Sequence, residues 1–270
     1  MTGRMVAASR YEAAPFGLAV LLVVAQICYP LTTGAARDRV TVAVVLLSAG
    51  TALAHAAVAR GTRYAVGFLV IVSGLGWVVE AIGTATGIPF GCYDYALDRL
   101  GPAIADVPLV VPLAWTGGLY PIWVVAGLLT DGPAHRVGAT ALGAVGWDLF
   151  LDPQMVADGH WRWCVTDAGL PGPDPIPYTN YLGWFAVAAI MAGAVMLWER
   201  TAPERDVSVA VPVGVFLWTW LGSTLAHAVF LGLPHSAVYG FVGLAVLGIP
   251  LLAHLVRQAR TDRIPVTARR

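Results

Sequence analysis

Long apolar stretches divide the chain into segments of the length that crosses a lipid bilayer. A membrane-crossing helix needs roughly 20 mostly apolar residues. The pattern predicts such segments at Ala13–Thr33, Val40–Val58, Tyr64–Ile82, Pro108–Leu128, Val137–Leu151, Tyr181–Trp198, Val207–Phe230 and Ser236–Val256. The fifth segment is short for a crossing and could instead re-enter the membrane. The predicted fold is therefore an all-α, polytopic membrane helix bundle with about eight (seven to eight) transmembrane helices.

The composition agrees with a membrane location. Hydrophobic residues make up 58% of the chain, charged residues only 12%, and the mean hydropathy is +0.72. An average soluble domain carries about 25% charged residues. No polar block is long enough to fold separately, so residues 1–256 are predicted to form a single integral membrane domain, followed by an Arg-rich, disordered tail, 257–270. The net charge is zero and no basic block indicates a nucleic-acid partner.

The distribution of arginine predicts the orientation. Cytoplasmic loops of membrane proteins carry an excess of Lys and Arg. With eight crossings, one side of the membrane holds twelve of the sixteen basic residues and the other side holds four. Both termini are therefore predicted to be cytoplasmic in the cell membrane. The two long loops, Gly83–Val107 and Asp152–Asn180, would share the outer side, provided that the fifth segment crosses.

Two carboxylates lie four residues apart at the end of the fifth segment. Asp148 and Asp152 belong to the run Trp147–Met155, and positions i and i+4 of a helix share one face. Pro153 is predicted to end the helix at Asp152. Ionisable residues at membrane depth usually face a partner or a water-filled cavity. A carboxylic acid in an apolar site can stay protonated near neutral pH and act as a general acid. Asp152 could equally serve only to end the helix.

Glu80 is the second candidate acid. It lies near the end of the third segment, with no cation within helical reach, and is predicted to face inward. Asp94 and Asp98 repeat the four-residue spacing in the first long loop, beside Arg99. A solvated loop with a local Asp–Arg pair is the alternative for them. His227, in the seventh segment, is typical of a hydrogen-bonded core histidine.

Tryptophans are concentrated near the acids. The residues concerned are Trp115, Trp147, Trp161, Trp163 and Trp184. They could form an interfacial aromatic belt, or they could line a pocket whose aromatic faces stabilise a cation. The three cysteines fit no metal-ligand spacing. Cys92 and Cys164 lie in the two long loops and could form a disulfide, whereas Cys28 lies in an apolar segment.

Several of these runs resemble the CruF-type carotenoid biosynthesis family of membrane proteins. The resemblance covers roughly Glu80–Trp198, and the run Gly169–Tyr178 departs from the family pattern. The matching runs are Glu80–Tyr95, Leu100–Pro102, Val107–Pro108, Pro112–Trp115, Trp147–Met155, Gly159–Trp163 and Asn180–Trp184. Characterised members of the family are carotenoid hydratases, including members of the bacterioruberin pathway. They add water to the terminal isoprenoid double bond of acyclic or monocyclic carotenoids and leave a tertiary alcohol.

The resemblance and the residues lead to one hypothesis. One of Asp148, Asp152 or Glu80 protonates the alkene, and a second carboxylate or Asn180 orients the water. The substrate-binding residues are expected to be Asp94, Tyr93, Tyr95, Trp115, Trp147, Trp161, Trp163, Asn180 and Trp184. No metal or organic cofactor is required. The expected partners are the carotenoid, the bilayer and other membrane enzymes of the carotenoid pathway.

Two alternatives remain at this point. A magnesium-dependent intramembrane prenyltransferase, similar to a carotenoid elongase, would use the two Asp-x-x-x-Asp pairs to hold a diphosphate. A non-enzymatic carotenoid-binding or transport protein would use Glu80 and Asp148 as a proton relay.

Overall fold

The computed structural model describes residues 13–164, 168–172 and 176–262. Within these ranges the chain forms eight α-helices, a bundle that confirms the predicted all-α membrane fold. The helices are α1 (Ala13–Cys28), α2 (Gly34–Arg60), α3 (Thr62–Thr86), α4 (Val110–Leu129), α5 (Pro133–Ala157), α6 (Tyr178–Glu199), α7 (Ala210–Leu225) and α8 (Pro234–Asp262). A 3-10 turn, Tyr29–Leu31, follows α1, and a π-helical segment, Ala226–Phe230, follows α7.

Among these helices, seven are long and apolar enough to cross a membrane. The exception is α5, which packs against α4, α6 and α8 inside the bundle. An interior helix contacts little lipid, so it can carry the small and polar residues that lower its hydropathy. Gly146 of α5 is an example, because a Cβ atom there would lie 2.7 Å from the backbone of Gly243 in α8. The two helix backbones therefore approach closely.

The prediction that α5 ends at Asp152 is wrong. The helix is 25 residues long and continues through Pro153 to Ala157. Proline lacks a backbone N–H and leaves the carbonyl four residues earlier without its helical partner. Here that carbonyl belongs to Leu149, and the Ser236 hydroxyl of α8 donates a hydrogen bond to it at 2.7 Å. A side chain from a neighbouring helix therefore replaces the missing donor.

Contacts at both ends of α5 show that it runs the full length of the bundle. At its start, Arg136 forms an ion pair with Glu199, at the end of α6, at 2.8 Å. Near its other end, Asp148 accepts a hydrogen bond from Asn180, at the start of α6, at 2.8 Å. The two helices are thus antiparallel along their length. The alternative of a short, re-entrant fifth segment does not fit this geometry.

The two long loops meet at one end of the bundle, as predicted. Strand β1 (Tyr93–Tyr95) of the first loop pairs with strand β4 (Trp161–Trp163) of the second, antiparallel and with Asp94 opposite Arg162. Strands β2 (Ala103–Ile104) and β3 (Val107–Pro108) form a small hairpin within the first loop. The disulfide that the sequence left open is present and joins Cys92 to Cys164. Both loops are therefore held as one layer, the loop layer, over the bundle end.

A partly buried ion pair and a histidine hydrogen bond attach the loop layer to α2. Arg99 does not pair with a nearby aspartate of its own loop; it binds Asp38 of α2 through both carboxylate oxygens, at 2.5 and 3.2 Å. His160, fully buried, lies 3.0 Å from the same carboxylate. Burial and the positive charge of Arg99 lower the pKa of His160, although Asp38 opposes this. His160 is thus a neutral hydrogen-bonding residue rather than an exposed loop residue.

The C-terminal helix α8 extends past the predicted boundary at Val256 to Asp262. Residues 263–270 of the predicted tail lie outside the described residues, so disorder there stays a prediction.

Candidate active site

A cavity of about 550 Å³ lies beneath the loop layer. Its wall combines α1 to α7, the two long loops and Leu244 of α8. The polar side chains at the loop-layer end include Glu80, Asp152 and Asn180, and the remainder of the wall is largely apolar. Ligand sites commonly have this character, with a few placed polar groups in an apolar cleft. The cavity brings residues of α3, α5 and α6 together at one end.

Glu80 is held by three side-chain donors. It is 5% exposed and lies near the end of α3. Oε2 accepts hydrogen bonds from the hydroxyls of Tyr93 and Tyr95, at 2.6 and 2.8 Å. Oε1 accepts one from the Trp115 indole at 3.1 Å. Residues two apart on a strand share a face, so β1 directs both tyrosines to this one carboxylate.

Both tyrosines act as donors in this arrangement. Burial raises the pKa of Tyr93 and of Tyr95 well above the usual range, and the nearby charge of Glu80 adds to the effect. Their hydroxyls therefore keep their protons and donate to Glu80. A carboxylate has about four acceptor positions, so the single bond to Oε1 leaves one position on Glu80 for a water molecule or a substrate.

Asp148 and Asp152 share one amide group. The Asn180 side-chain N–H₂ donates to Asp148 Oδ2 at 2.8 Å and also to Asp152 Oδ2. The Trp161 indole donates to Asp152 Oδ1 at 2.6 Å. Asp148 Oδ1 is buried and has no hydrogen-bond partner within the part of the chain that the structure describes. Both carboxyl groups are almost completely buried, at 0% and 2% exposure.

Only one member of this pair reaches the cavity. Asp152 is part of its wall, whereas Asp148, one turn earlier on α5, lies behind it. Sequence reasoning favoured Asp148 for function and left Asp152 undecided. The geometry reverses that ranking for direct contact with a ligand, and it places Asp148 behind Asp152, joined to it through the Asn180 amide.

Aromatic side chains enclose the acids. Trp115 and Trp184 stack with ring centroids 3.9 Å apart, and Trp147 meets Trp184 edge to face at 5.5 Å. Trp161 and Trp163 of β4 contact Tyr95 and Tyr93 respectively. All five tryptophans are part of the cavity wall. The pocket alternative therefore describes these residues better than an aromatic belt facing the lipid.

Asp94 is the predicted site residue that the fold directs elsewhere. It alternates with Tyr93 and Tyr95 along β1, so its side chain lies on the opposite face of the strand and is exposed. Its neighbour across the strand pair is Arg162, which is also exposed. Neither residue is part of the cavity wall. The repeated Asp-x-x-x-Asp spacing thus does not bring the two aspartate pairs into one site.

Sequence reasoning missed a second polar group on the cavity wall. Gln154, in the Trp147–Met155 run, contributes to the wall, and its amide lies 3.1 Å from Nε2 of His227. Nδ1 of His227 lies 2.9 Å from the Ser236 hydroxyl. His227 is thus a buried, hydrogen-bonded core residue, as predicted.

Gln26 of α1 also contributes to the wall, and its Oε1 has no partner among the described residues. No local pattern marks α1 as part of a site.

Two comparisons with known proteins give matches to this chain. The sequence model of a family described as carotenoid biosynthesis protein matches residues 40–247. Among curated proteins, the bisanhydrobacterioruberin hydratase of Haloarcula japonica is 29% identical over 126 residues. That match covers 45% of this chain and 40% of the relative, so the chain aligns with less than half of the relative's length. No solved structure matches the chain.

Proposed function

Because the chain belongs to the carotenoid biosynthesis protein family, we propose that it adds water to a carotenoid. The reacting group is the terminal isoprenoid C=C of an acyclic or monocyclic carotenoid, and the product is a tertiary alcohol. The observation that carries the proposal is the buried group of acids: Asp152, joined to Asp148 through Asn180, and the triply hydrogen-bonded Glu80 face one aromatic-walled cavity. The similarity to a protein named as a hydratase supports the reaction type.

The aspartate pair is suited to deliver a proton. Two interacting carboxyl groups resist double ionisation, so the pair retains one proton. Asp152 reaches the cavity and transfers that proton to the less substituted alkene carbon. The new C–H bond forms as the π bond breaks, and a tertiary cation remains on the other carbon. The Trp161 indole and the Asn180 amide then stabilise the charge that develops on Asp152.

Other residues at the same end of the cavity are suited to the cation and the water. Aromatic faces attract cations, and Trp115, Trp147 and Trp184 supply such faces. Preorganised charges stabilise a transition state without reorganising during the reaction. The carboxylate of Glu80 is held in place by three donors and has one acceptor position left for the attacking water. The water oxygen forms the C–O bond, and its released proton passes to Glu80. Exchange with solvent returns the protons to their starting groups.

The arrangement supports hydration over prenyl transfer. A diphosphate needs basic residues and a metal site, but Arg99 is bound to Asp38 and Arg162 lies outside the cavity wall. Asp94 and Asp98 likewise do not join Asp148 and Asp152. Activity that requires magnesium and is removed by a chelator would favour the prenyltransferase instead.

The test is production of the alcohol in a host that makes acyclic carotenoids. Pigments are extracted with and without the chain and analysed by mass spectrometry, and a gain in mass of water is expected. Asp152→Asn removes the proton donor and should lower product formation by about 10²–10⁴-fold, the usual range for a general acid. Full product from Asp152→Asn would overturn the assignment of the donor. Pigment that copurifies unchanged with the intact chain would indicate a binding protein.

We further infer that the loop layer faces the outside of the cell membrane and that both termini are cytoplasmic. Disulfides persist in oxidising compartments, and the Cys92–Cys164 bond lies in this layer. The arginine distribution predicts the same orientation. The orientation can be tested with cysteines introduced in place of Asp98 and Asp131, which lie at opposite ends of the bundle. Each is exposed to a membrane-impermeant thiol reagent in intact cells. The residue at position 98 should react, and the one at 131 should not.

A further inference from the structure

The cavity has an apolar opening at the protein surface. Four residues contribute to the cavity wall and are also strongly exposed at the protein surface: Ile27 (48%), Leu31 (71%), Leu225 (57%) and Phe230 (57%). A side chain that is part of an internal wall and is also exposed marks the place where the cavity reaches the surface. The opening therefore lies between the end of α1 with its 3-10 turn and the end of α7 with its π-helical segment.

The composition of the opening favours lipid over water. Both of its sides belong to candidate membrane spans, Ala13–Leu31 and Ala210–Phe230. All four exposed side chains are apolar. The main packing partners of α7 are α4 and α8, and α7 contacts α1 less extensively.

The π-helical segment gives one side of the opening a fixed shape. Single turns of π-helix are rare and often mark functional sites. Here His227 holds the segment from both ring nitrogens, through Ser236 of α8 and Gln154 of α5. Gln154 belongs to the same helix as Asp152. The position of the opening is thus tied to the helix that carries the proposed proton donor.

We propose that the polyene chain of the substrate leaves the cavity sideways into the bilayer through this opening, while its reacting end lies at Asp152 and Glu80. The inference rests on the proposed function. A polyene is stiff and apolar, and the cavity is continuous from the acids to the opening. Ile27, Leu31, Leu225 and Phe230 then determine which chains can be accommodated, because each atom pair in contact adds to binding. The substrate class is a long isoprenoid with a linear chain that extends from the cavity into lipid.

The experiment uses tryptophan substitutions at matched positions of the full chain in lipid nanodiscs. Ile27→Trp and Leu225→Trp fill the opening from its two sides. Val24→Trp and Leu221→Trp are the controls, because these residues are similarly exposed, at 50% and 48%, on the same two helices but are not part of the cavity wall. Squalene serves as the probe, since it is an acyclic isoprenoid with the same terminal alkene. Both binding of radiolabelled squalene and formation of its hydrate are measured.

Both substitutions at the opening should weaken squalene binding by about tenfold or more, whereas both controls should stay within about twofold. Equal effects at all four positions, or no effect at Ile27 and Leu225, would overturn the proposed route. So would the absence of squalene binding to the unmodified chain. Binding that is lost only at the opening, together with no alcohol formed by the unmodified chain from an acyclic carotenoid, would keep the route and overturn the hydratase proposal.

Photocrosslinking gives a readout that does not depend on filling the opening. A benzophenone amino acid is introduced in place of Phe230 or, as the control, of Val229, which is 63% exposed and not part of the wall. Irradiation with squalene should attach one squalene at position 230 and none at 229. Equal labelling at both positions would show only contact with squalene dissolved in the bilayer and would contradict the proposal.

Discussion

The hydrogen bond from Trp161 to Asp152 can be isolated by comparing two neighbouring tryptophans. Trp161 and Trp163 both lie on β4, both are half-buried on the cavity wall, and each contacts one tyrosine of β1. They differ in one respect. The Trp161 indole donates to Asp152 at 2.6 Å, whereas the Trp163 indole N–H has no partner among the described residues. Changing each to Phe removes one indole N–H and leaves an aromatic ring.

The expected effect follows from the energy of that bond. A hydrogen bond to a charged group contributes about 1.5–3 kcal/mol. If Asp152 is the proton donor, the bond strengthens as negative charge develops on it during proton transfer. Full charge development in the transition state would therefore make Trp161→Phe about 10- to 150-fold slower. Because the charge is only partly developed at the transition state, we expect a loss of roughly 3- to 30-fold in kcat/KM.

The assay measures hydration by both variants in proteoliposomes that contain an acyclic carotenoid. Product is quantified by chromatography and mass spectrometry, and size-exclusion chromatography confirms the folded amount of each variant. Trp163→Phe should stay within a few-fold of the unmodified chain, because it removes no hydrogen bond to an acid. Equal losses in the two variants would show that the indole area matters and the bond to Asp152 does not. That result would refute the proposed role of Asp152.

Further predictions concern the other acid and the scaffold. Glu80→Gln should lower hydration by about 10²-fold in the same assay while carotenoid binding is retained, because the charge that faces the cation is lost; unchanged kcat would contradict this. Ser236→Ala leaves the Leu149 carbonyl without its donor and should lower the free energy of unfolding by about 1–3 kcal/mol, whereas Ser236→Thr should largely preserve it in a thermal unfolding assay. Replacing Cys92 and Cys164 together by Ser should lower the free energy of unfolding by about 2–4 kcal/mol. Equal unfolding temperatures with and without the disulfide would contradict this expectation.

The sequence predicted the membrane helices well because the bilayer imposes one simple requirement on each of them. Every lipid-facing segment must be long and apolar, and that property is visible in a single sequence. The acids could be identified from the sequence as well, because a carboxylate within an apolar segment is costly and needs a partner. Glu80 and Asp148 therefore stood out before their contacts were known, whereas Asp152 stayed undecided.

Other features depend on contacts between distant parts of the chain. The orientation of Asp94 follows from the pairing of β1 with β4, which no local pattern in the first loop specifies. The choice of Asp38 as the partner of Arg99 joins α2 to a loop that is distant in sequence. α1 and α7 contribute to the cavity wall mainly through apolar residues that look like any lipid-facing residue. Such features need the tertiary structure.

The error at Pro153 shows how one distant contact changes the site. A proline in this position predicts the end of a helix, and most helices end near such a residue. The Ser236 hydroxyl satisfies the Leu149 carbonyl, and α5 continues to Ala157. Because the helix continues, Asp152 keeps its helical direction towards Asn180, while Gln154 projects towards His227 and the π-helical segment. Ser236 binds His227 as well. A single hydroxyl of α8 thus fixes both the proposed proton donor and one side of the proposed opening, so Ser236→Ala should weaken hydration and squalene binding together.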